Sequence, residues 1–557
     1  WLPGNAPRER KQAKDRNDLR HYGAQHEFDV RDGKAMNNAP KHPDRYYDPS
    51  AERAAAAAEM EDLLDGVGAV DALDVSDLCD TEDMTVVVLE MDHRYVLAVR
   101  SESALATRVL TTAEALGGPN AELHHKAIDG EMSGHLEKFK TFTLIPLGDK
   151  PKGESLVSTK LILAEKFGAE GEFLKAKARL VARGDQMVAG RDYDPFKTTA
   201  PMLRYSSLRM MCAMAAITGR PLSTSDATMA YCQAKLPRPF YARLPKSMRG
   251  QYVTAEGEEL IALVTAGLYG HAESGHWWSK EIVGHLTKPR SEGGMGFTRS
   301  AADPCMFVWR EGDKWSLLGL ATDNVVSLSS HDAVHSDVLA RLQDKYEWVD
   351  EGVVDDVPSV LGVKIRQNIE AGTVTMSQEG YCEALAEEYA DLLTSNRRCE
   401  TPASEDLETL VLEALSSKHE ARDPTLVRWY QRLIGSLIFA SIVTRPDIAW
   451  AVGMLSRAMA YPTDALAKAA TRCLSYLVQN KSLGFNYSRS TFFSARTAST
   501  QQRRKGMLGG LSGVIGVDID EGTSDSDFAA GPSVSGWEWR MAGAAVCYGS
   551  KRQSSTM

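Results

Sequence analysis

The sequence predicts an α+β fold built on an antiparallel sheet, and three stretches predict it. Residues 222–236 centre on Asp226, which reads as a carboxylate at a strand end. Residues 317–328 carry two apolar runs on either side of Thr322, Asp323 and Asn324, the pattern of a β-hairpin whose turn holds those three polar residues. Ahead of both, residues 206–218 place Leu208, Met211, Cys212, Ala215 and Ala216 at helical spacing, which predicts a helix packed against the sheet through that stripe.

Length and composition bound what such a fold can do. With 557 residues, 43% of them apolar, the chain is long enough for three or four domains, each with its own core. The longest apolar runs, such as 260–269, reach about half of what a bilayer span needs, so no membrane segment is expected. Eight cysteines stand without a CxxC pair, which argues against a zinc knuckle or disulfide framework and fits an intracellular, reducing compartment. The formal charge of −11 argues at first against a nucleic-acid partner, but its distribution argues for one. Residues 160–250 hold 16 Lys and Arg against 7 Asp and Glu, a local +9 that leaves −20 on the rest of the chain. A basic block around Asp226 inside an acidic protein suits a channel for phosphates, or equally a solvated basic face.

Taken in order, residues 1–50 are polar with little periodicity and are expected to be extended or disordered. Residues 51–65 are Ala- and Glu-rich and predict a helix, and 85–99 alternate like a hairpin. From residue 126 a helix is expected, then a strand at 141–146 and paired strands at 156–166 and 173–181. Lys177 and Arg179 alternate with apolar residues in the last of these, so both project from one strand face. Further on, helices are expected at 334–346, 381–393, 425–443, 447–460 and 465–479, with a hairpin at 361–377. Residues 350–356 are acidic, and 488–512 are rich in Ser, Thr, Arg and Gly.

A series of motifs follows one order along the chain. It runs through Lys-Ala-Arg-Leu-Val-Ala-Arg-Gly at 177–184, Asp192-Tyr193, Ala200-Pro201, Arg209, Asp226 with Ala230-Tyr231, and Gly-Leu-Tyr-Gly at 267–270. Ala-Asp-Pro-Cys at 302–305, Leu-Gly-Val at 361–363, Tyr-Gln-Arg-Leu-Ile-Gly-Ser-Leu at 430–437 and Thr-Arg-Pro-Asp-Ile-Ala at 444–449 complete it. This order resembles the reverse transcriptase region of copia-type retrotransposon Pol polyproteins, from about residue 124 to the C-terminus. The resemblance implies a polymerase right hand with fingers, thumb and an antiparallel palm sheet. It divides the chain into a linker at 1–120, fingers and palm at 121–380, thumb and helical connection at 381–487, a linker or insertion at 488–514, and a truncated ribonuclease H-like α/β segment at 515–557. The chain begins with Trp1 rather than Met, which reads as a fragment or an imperfect gene model.

On the same resemblance, Asp226 and Asp323 hold two Mg²⁺ ions, or Mn²⁺ in their place, with Asn324 at the second motif carboxylate. One carboxylate on a strand and one in a hairpin turn suit that task, since two ions activate a primer 3′-hydroxyl and stabilise the leaving pyrophosphate. Lys177 and Arg179 grip the triphosphate of a deoxynucleoside triphosphate, with a solvated strand face as the structural alternative. Tyr231 crowds a ribose 2′-hydroxyl, or fills a core. Tyr269, Gly270 and Glu273 lie against an RNA template and DNA primer, and Asp525 matches the first carboxylate of a ribonuclease H. That nuclease module is expected to be inert, because the chain stops before the next acidic ligand.

The chain departs from the family at two places. His-Ala-Glu-Ser-Gly-His at 271–276 replaces a run with Gln and Arg, and Ala321-Thr322-Asp323-Asn324 replaces Tyr-Val-Asp-Asp. Asn324 keeps the shape of a carboxylate but loses its charge. Two functional readings follow: a reverse transcriptase impaired at position 324, or a catalytically dead remnant that keeps the fold and nucleic-acid binding. A third reading, a small-molecule phosphotransferase using an Asp pair, is disfavoured by the lack of a phosphate-cradling glycine loop.

Overall fold

The computed structural model describes residues 107–167, 173–357, 359–393, 398–419, 421–491, 521–526 and 534–552. The helix expected at 51–65, the hairpin expected at 85–99 and most of the 488–514 stretch lie outside the described residues.

Strand β1 (Thr107–Leu110) leads into helices α1 (Thr112–Gly117) and α2 (Ala121–Ser133), then strands β2 (Phe142–Pro146), β3 (Leu156–Phe167) and β4 (Phe173–Ala182). Helix α3 (Tyr205–Thr218) precedes strands β5 (Leu222–Ala227), β6 (Lys235–Arg243) and β7 (Leu260–Ala266), and helix α4 (Ser274–Thr287) follows. Next come β8 (Thr298–Arg299), β9 (Met306–Glu311), β10 (Lys314–Ala321) and β11 (Asn324–Ser329), helix α5 (Asp332–Lys345), and strands β12 (Trp348–Val353), β13 (Lys364–Asn368) and β14 (Thr373–Ser377). Helices α6 (Glu379–Glu388), α7 (Leu407–Ser416), α8 (Pro424–Val443), α9 (Ala449–Ser456) and α10 (Asp464–Gln479) form a helical stretch. Strands β15 (Gly484–Ser488), β16 (Glu521–Ser526), β17 (Val534–Met541) and β18 (Ala544–Arg552) complete the described chain.

The fold is mixed α+β with antiparallel sheets, as the sequence predicts. One sheet runs β1-β3-β6-β7-β2, with β4 also on β3, and only its short β3–β6 pairing is parallel. The second runs β12-β5-β11-β10-β9-β8 and is antiparallel throughout. Its central strands are buried at consecutive positions, so both faces are covered and alternation is absent from the sequence. Their cover includes α3, α4 and α5, whose apolar residues share one core with the sheet. Helix α3 is apolar on nearly every side and buried accordingly, and it stops at Gly219, whose φ of 67° suits a residue without a Cβ.

The helical stretch has its own core, made by Leu407, Val411, Tyr430, Leu437, Leu455 and Leu474 among others. Helix α8 starts where the sequence signals it, with Asp423 accepting from the Thr425 amide and Pro424 at its first position. Two small antiparallel sheets remain, β13-β14-β15 and β16-β17-β18. Residues 187–195 make a turn of their own, in which the Asp192 carboxylate accepts from the Val188 amide at 2.8 Å and the Gly190 amide donates to Tyr193 O at 2.8 Å.

Arg209 joins several of these pieces. Its guanidinium, buried in α3, donates to the carbonyls of Val546 at 2.9 Å, Ile442 at 2.9 Å and Val443 at 2.8 Å. It also stacks over the Tyr548 ring at 4.6 Å. Tyr487 adds a bond from its hydroxyl to Ala545 O at 2.7 Å. The C-terminal strand is thereby tied to α3, to the end of α8 and to β15. Arg209→Leu removes the donor to the buried Val546 and Val443 carbonyls, while the Ile442 carbonyl keeps the Tyr548 hydroxyl, so urea unfolding should show a loss of about 2–4 kcal/mol. Arg209→Lys should fall between, since an ammonium keeps the charge but not the fork. An unchanged midpoint for Arg209→Leu would show that the strand docks without it.

Candidate active site

The second sheet brings the two aspartates together through its backbone. Strand β11 pairs with β5 so that Asn324 stands opposite Asp226, and with β10 so that Asn324 stands opposite Ala321. The hairpin turn is therefore only Thr322 and Asp323. The expected three-residue turn is corrected on this point, because Asn324 is the first ladder residue of β11. Thr322 has a φ of 58°, an unusual value for a β-branched residue, and its carbonyl accepts from the buried Trp278 indole at 2.6 Å. The Asp323 carbonyl accepts from the Ala227 amide at 2.9 Å, which fixes the turn beside the residue after Asp226. Asp226, Asp323 and Asn324 are each half-buried at the exposed end of an otherwise covered sheet.

Charge accumulates there. Burial pushes the Asp226 carboxyl up to about 6, Asp323 and Glu351 push it the same way, and Lys177 and Arg179 pull it back. The Asn324 amide donates to the Asp323 carboxylate at 3.2 Å. Oxygen donors from Asp226, Asp323 and the Asn324 carbonyl, with surplus negative charge, fit a hard divalent cation. Among the described residues no three acidic, His or Cys side chains converge as a metal cage.

Lys177 and Arg179 lie on β4 with the buried Ala178 and Leu180 between and beyond them. Both are close enough to bear on Asp226. Arg179 makes no ion pair with a carboxylate among the described residues, and its guanidinium sits 4.7 Å from the Tyr269 ring centre. Tyr269 in turn lies 5.1 Å from the Tyr231 ring. Burial raises the Tyr231 phenol, Asp323 raises it further and Arg179 opposes. Tyr231 therefore sits within reach of the same cluster.

Gly270 is required where it stands. Its φ is 80°, and a Cβ there would lie 2.2 Å from Ala182 O, while the Ala182 amide donates to Tyr269 O at 2.7 Å. The close approach ties the end of β4 to the loop carrying Tyr269. Beside it, Lys160, Arg183, Asp185, Lys246, Arg249 and Gly270 line a cleft of net positive charge, in which Arg183 pairs with Asp185 at 2.6 Å and Arg249 with Glu259 at 3.5 Å. Glu273 differs from its expected place against a template. It is 8% exposed, and its carboxylate accepts from the Trp277 indole at 2.8 Å, so it anchors the start of α4 instead of presenting itself to solvent. Asp525 lies on β16 with Gly536 as its backbone partner, and nothing in the described structure brings it near Asp226.

Glu351 was not expected in the cluster. Residues 350–356 are acidic in sequence, but only the pairing of β12 with β5 reveals that Glu351 stands by Asp226. Trp278, which holds the Thr322 carbonyl, was equally unmarked by any motif.

Residues 139–405 match the family model described as Reverse transcriptase (RNA-dependent DNA polymerase). That stretch of the chain is thus similar to a reverse transcriptase region. It is 24% identical over 365 residues to the retrovirus-related Pol polyprotein from transposon TNT 1-94 of Nicotiana tabacum, covering 65% of this chain and 26% of that one. It is also 24% identical over 391 residues to the Pol polyprotein from transposon RE1 of Arabidopsis thaliana, covering 70% of this chain and 24% of that one. These matches support a resemblance to the copia-type retrotransposon reverse transcriptase region, and the chain spans about a quarter of the length of these relatives. A foamy viral protease-reverse transcriptase solved with dsDNA superposes with a TM-score of 0.32 at 10% identity, over 77% of this chain and 66% of that one. No helix among the described residues is long and apolar enough to cross a membrane.

The raised Asp226 carboxyl gives a pH signature. Folded Asp226 keeps its proton to about pH 6 while the unfolded chain releases it near 3.8, so its contribution to stability is full below about pH 3.8 and is lost as pH rises through 6. In the metal-free chain, Asp226→Asn should therefore be more stable than wild type at pH 7.5, by about 1–2 kcal/mol once solvent screening is allowed for, and lose that advantage near pH 4. Thermal unfolding across this range checks it, and a difference that stays flat with pH would mean the carboxyl titrates normally.

Proposed function

We propose that this region performs template-directed DNA synthesis, adding deoxynucleotides to a DNA primer on an RNA or DNA template, at a site impaired by Asn324. The observation that carries the proposal is the pairing of Asp226 with Asn324, with Asp323 in the adjoining turn and Lys177 and Arg179 facing Asp226. In this reading the second sheet is a palm, β1–β4 with β6 and β7 belong to fingers, and α6–α10 are thumb and connection. Residues 521–526 and 534–552 are read as the opening strands of a ribonuclease H-like sheet, with Asp525 as its first acidic residue.

Asp226 and Asp323 would hold the cations, with the Asn324 carbonyl as a weaker third donor. Two Mg²⁺ ions, or Mn²⁺, supply Lewis acidity to the primer hydroxyl and the leaving pyrophosphate. Arg179, oriented by its stack on Tyr269, and Lys177 would meet the anionic triphosphate from the finger side. Tyr231, packed on Tyr269, borders the position of the sugar and supports a preference against a 2′-hydroxyl. In the neighbouring cleft, Lys160 and Lys246 support phosphate-backbone contact without base readout.

A second reading, a folded remnant that binds nucleic acid and catalyses nothing, is favoured by one contact. The Asn324 amide occupies a lone pair of Asp323 that a cation would otherwise use. Primer extension on poly(rA) with Mg²⁺ or Mn²⁺, comparing wild type with Asn324→Asp, separates the two. Under the impaired-polymerase reading, the substitution should raise incorporation by about 10²-fold or more, since each tenfold is about 1.4 kcal/mol of barrier and a restored anionic ligand contributes several. Duplex binding should stay equal in both variants and weaken steeply with salt. No incorporation by either variant would favour the remnant. Robust incorporation by wild type with no gain from Asn324→Asp would show that Asp226 and Asp323 suffice.

A further inference from the structure

The second sheet offers Asp226 two neighbours at the same level. On one side β11 presents Asn324, and on the other β12 presents Val349. The β12–β5 ladder then shifts register between Asp350 and Gly352, leaving Glu351 as the residue between the paired positions. The Glu351 carboxylate accepts from the Thr224 hydroxyl at 3.1 Å. Thr224 lies two residues before Asp226 on β5, and side chains two apart on a strand share a face. The bond therefore holds Glu351 on the face of Asp226, on the flank opposite Asn324.

Its charge is uncompensated. Glu351 is exposed and makes no ion pair among the described residues. The neighbouring acids are otherwise engaged: Asp350 accepts from the Gly352 amide at 2.9 Å, and Asp355 pairs with Arg366 at 3.7 Å. The carboxyl of Asp226 responds to Glu351 in the same direction as to Asp323. Glu351 is not part of a three-ligand cage, so its influence runs through space.

We propose that Glu351 is a positioning residue for the cation site, supplying from β12 part of the negative charge that position 324 lacks on β11, without itself ligating the ion. The proposal rests on the reading of Asp226 and Asp323 as cation ligands. Thr224 fixes the distance, and the bulge in β12 aims the side chain. A charge held at the rim of a half-exposed site attracts a divalent ion through a high effective dielectric, so its effect is moderate and falls with ionic strength.

The test is Mn²⁺ binding to the full chain, read by electron paramagnetic resonance of free Mn²⁺ without nucleotide or primer, at low and high salt. Wild type should bind, and Asp226→Asn should abolish binding. Glu351→Gln should weaken Kd by about tenfold at low salt and by much less in high salt. Thr224→Val keeps the charge but frees the side chain, and should weaken Kd by about two- to threefold, which keeps the proposal testable should Glu351→Gln fold poorly. Glu311→Gln, at the far end of β9, should leave Kd unchanged. Asn324→Asp should tighten binding in both the wild-type and Glu351→Gln backgrounds. Binding lost in Asp226→Asn but unaltered in Glu351→Gln and Thr224→Val would overturn the role of Glu351 alone. No specific binding by wild type or Asn324→Asp would overturn the cation site and this inference with it. A salt-independent loss in Glu351→Gln would mark a structural role and also overturn it.

Discussion

Everything proposed for this region depends on one backbone pairing, that of β5 with β11, which forces acidic side chains into a small volume at the end of a buried sheet. Left to themselves, like charges would move apart, and the raised Asp226 carboxyl shows that Asp323 and Glu351 repel it. The ladder denies them that freedom. The Asp323 carbonyl is bound by the amide of Ala227, and the Thr322 carbonyl by Trp278, so neither strand end can withdraw. The left-handed Thr322 is the local cost of a two-residue turn without glycine. Strain and repulsion at this point are carried by the apolar core on both faces of the sheet, where Leu318, Val326 and Met211 are fully or nearly fully buried.

The cationic side of the cluster is positioned by a different device. Lys177 and Arg179 come from another sheet, and their placement rests on the approach of Gly270 to Ala182 and on the stack of Arg179, Tyr269 and Tyr231. A guanidinium stacked on a phenol loses little further rotamer freedom when it meets an anion, so orientation is settled before a ligand arrives. Glycine at 270 and the aromatic at 269 thus act together: one allows the loop to close on β4, and the other uses the closure.

Much of this was legible in the sequence because local signals coincide with the global arrangement. Helix α3 was readable from its apolar spacing, α8 from Asp423 and Pro424, and the hairpin from two apolar runs around polar turn residues. The exact turn was not, because the difference between a two- and a three-residue loop is one ladder pair, Ala321 with Asn324. Strand β12 was hidden by its own acidity, since Asp350 and Glu351 break the apolar pattern that marks a strand, and only pairing over more than a hundred residues stabilises it. The burial of Glu273 is of the same kind, since nothing local signals that a Trp four residues on donates to its carboxylate. The joining of β15 to β14 and the anchoring of β18 through Arg209 are also long-range facts with no local signature.

Position 324 can be understood as a balance between the fold and the chemistry proposed for it. An aspartate there would add a third charge to Asp226 and Asp323, and it would stand directly across the ladder from a carboxyl already raised to about 6. Asn removes that repulsion, keeps nearly the same volume and adds an amide donor to Asp323, so the metal-free fold gains from the change. The same donor competes with any cation for the Asp323 oxygen. Stability without the ion and affinity for the ion therefore pull this residue in opposite directions, the usual relation between a strained functional site and the scaffold that holds it. Glu351 carries its charge at the rim, where water moderates both its repulsion of Asp226 and its attraction of a cation, and a divalent ion with twice the charge responds to it more strongly than a single carboxylate does.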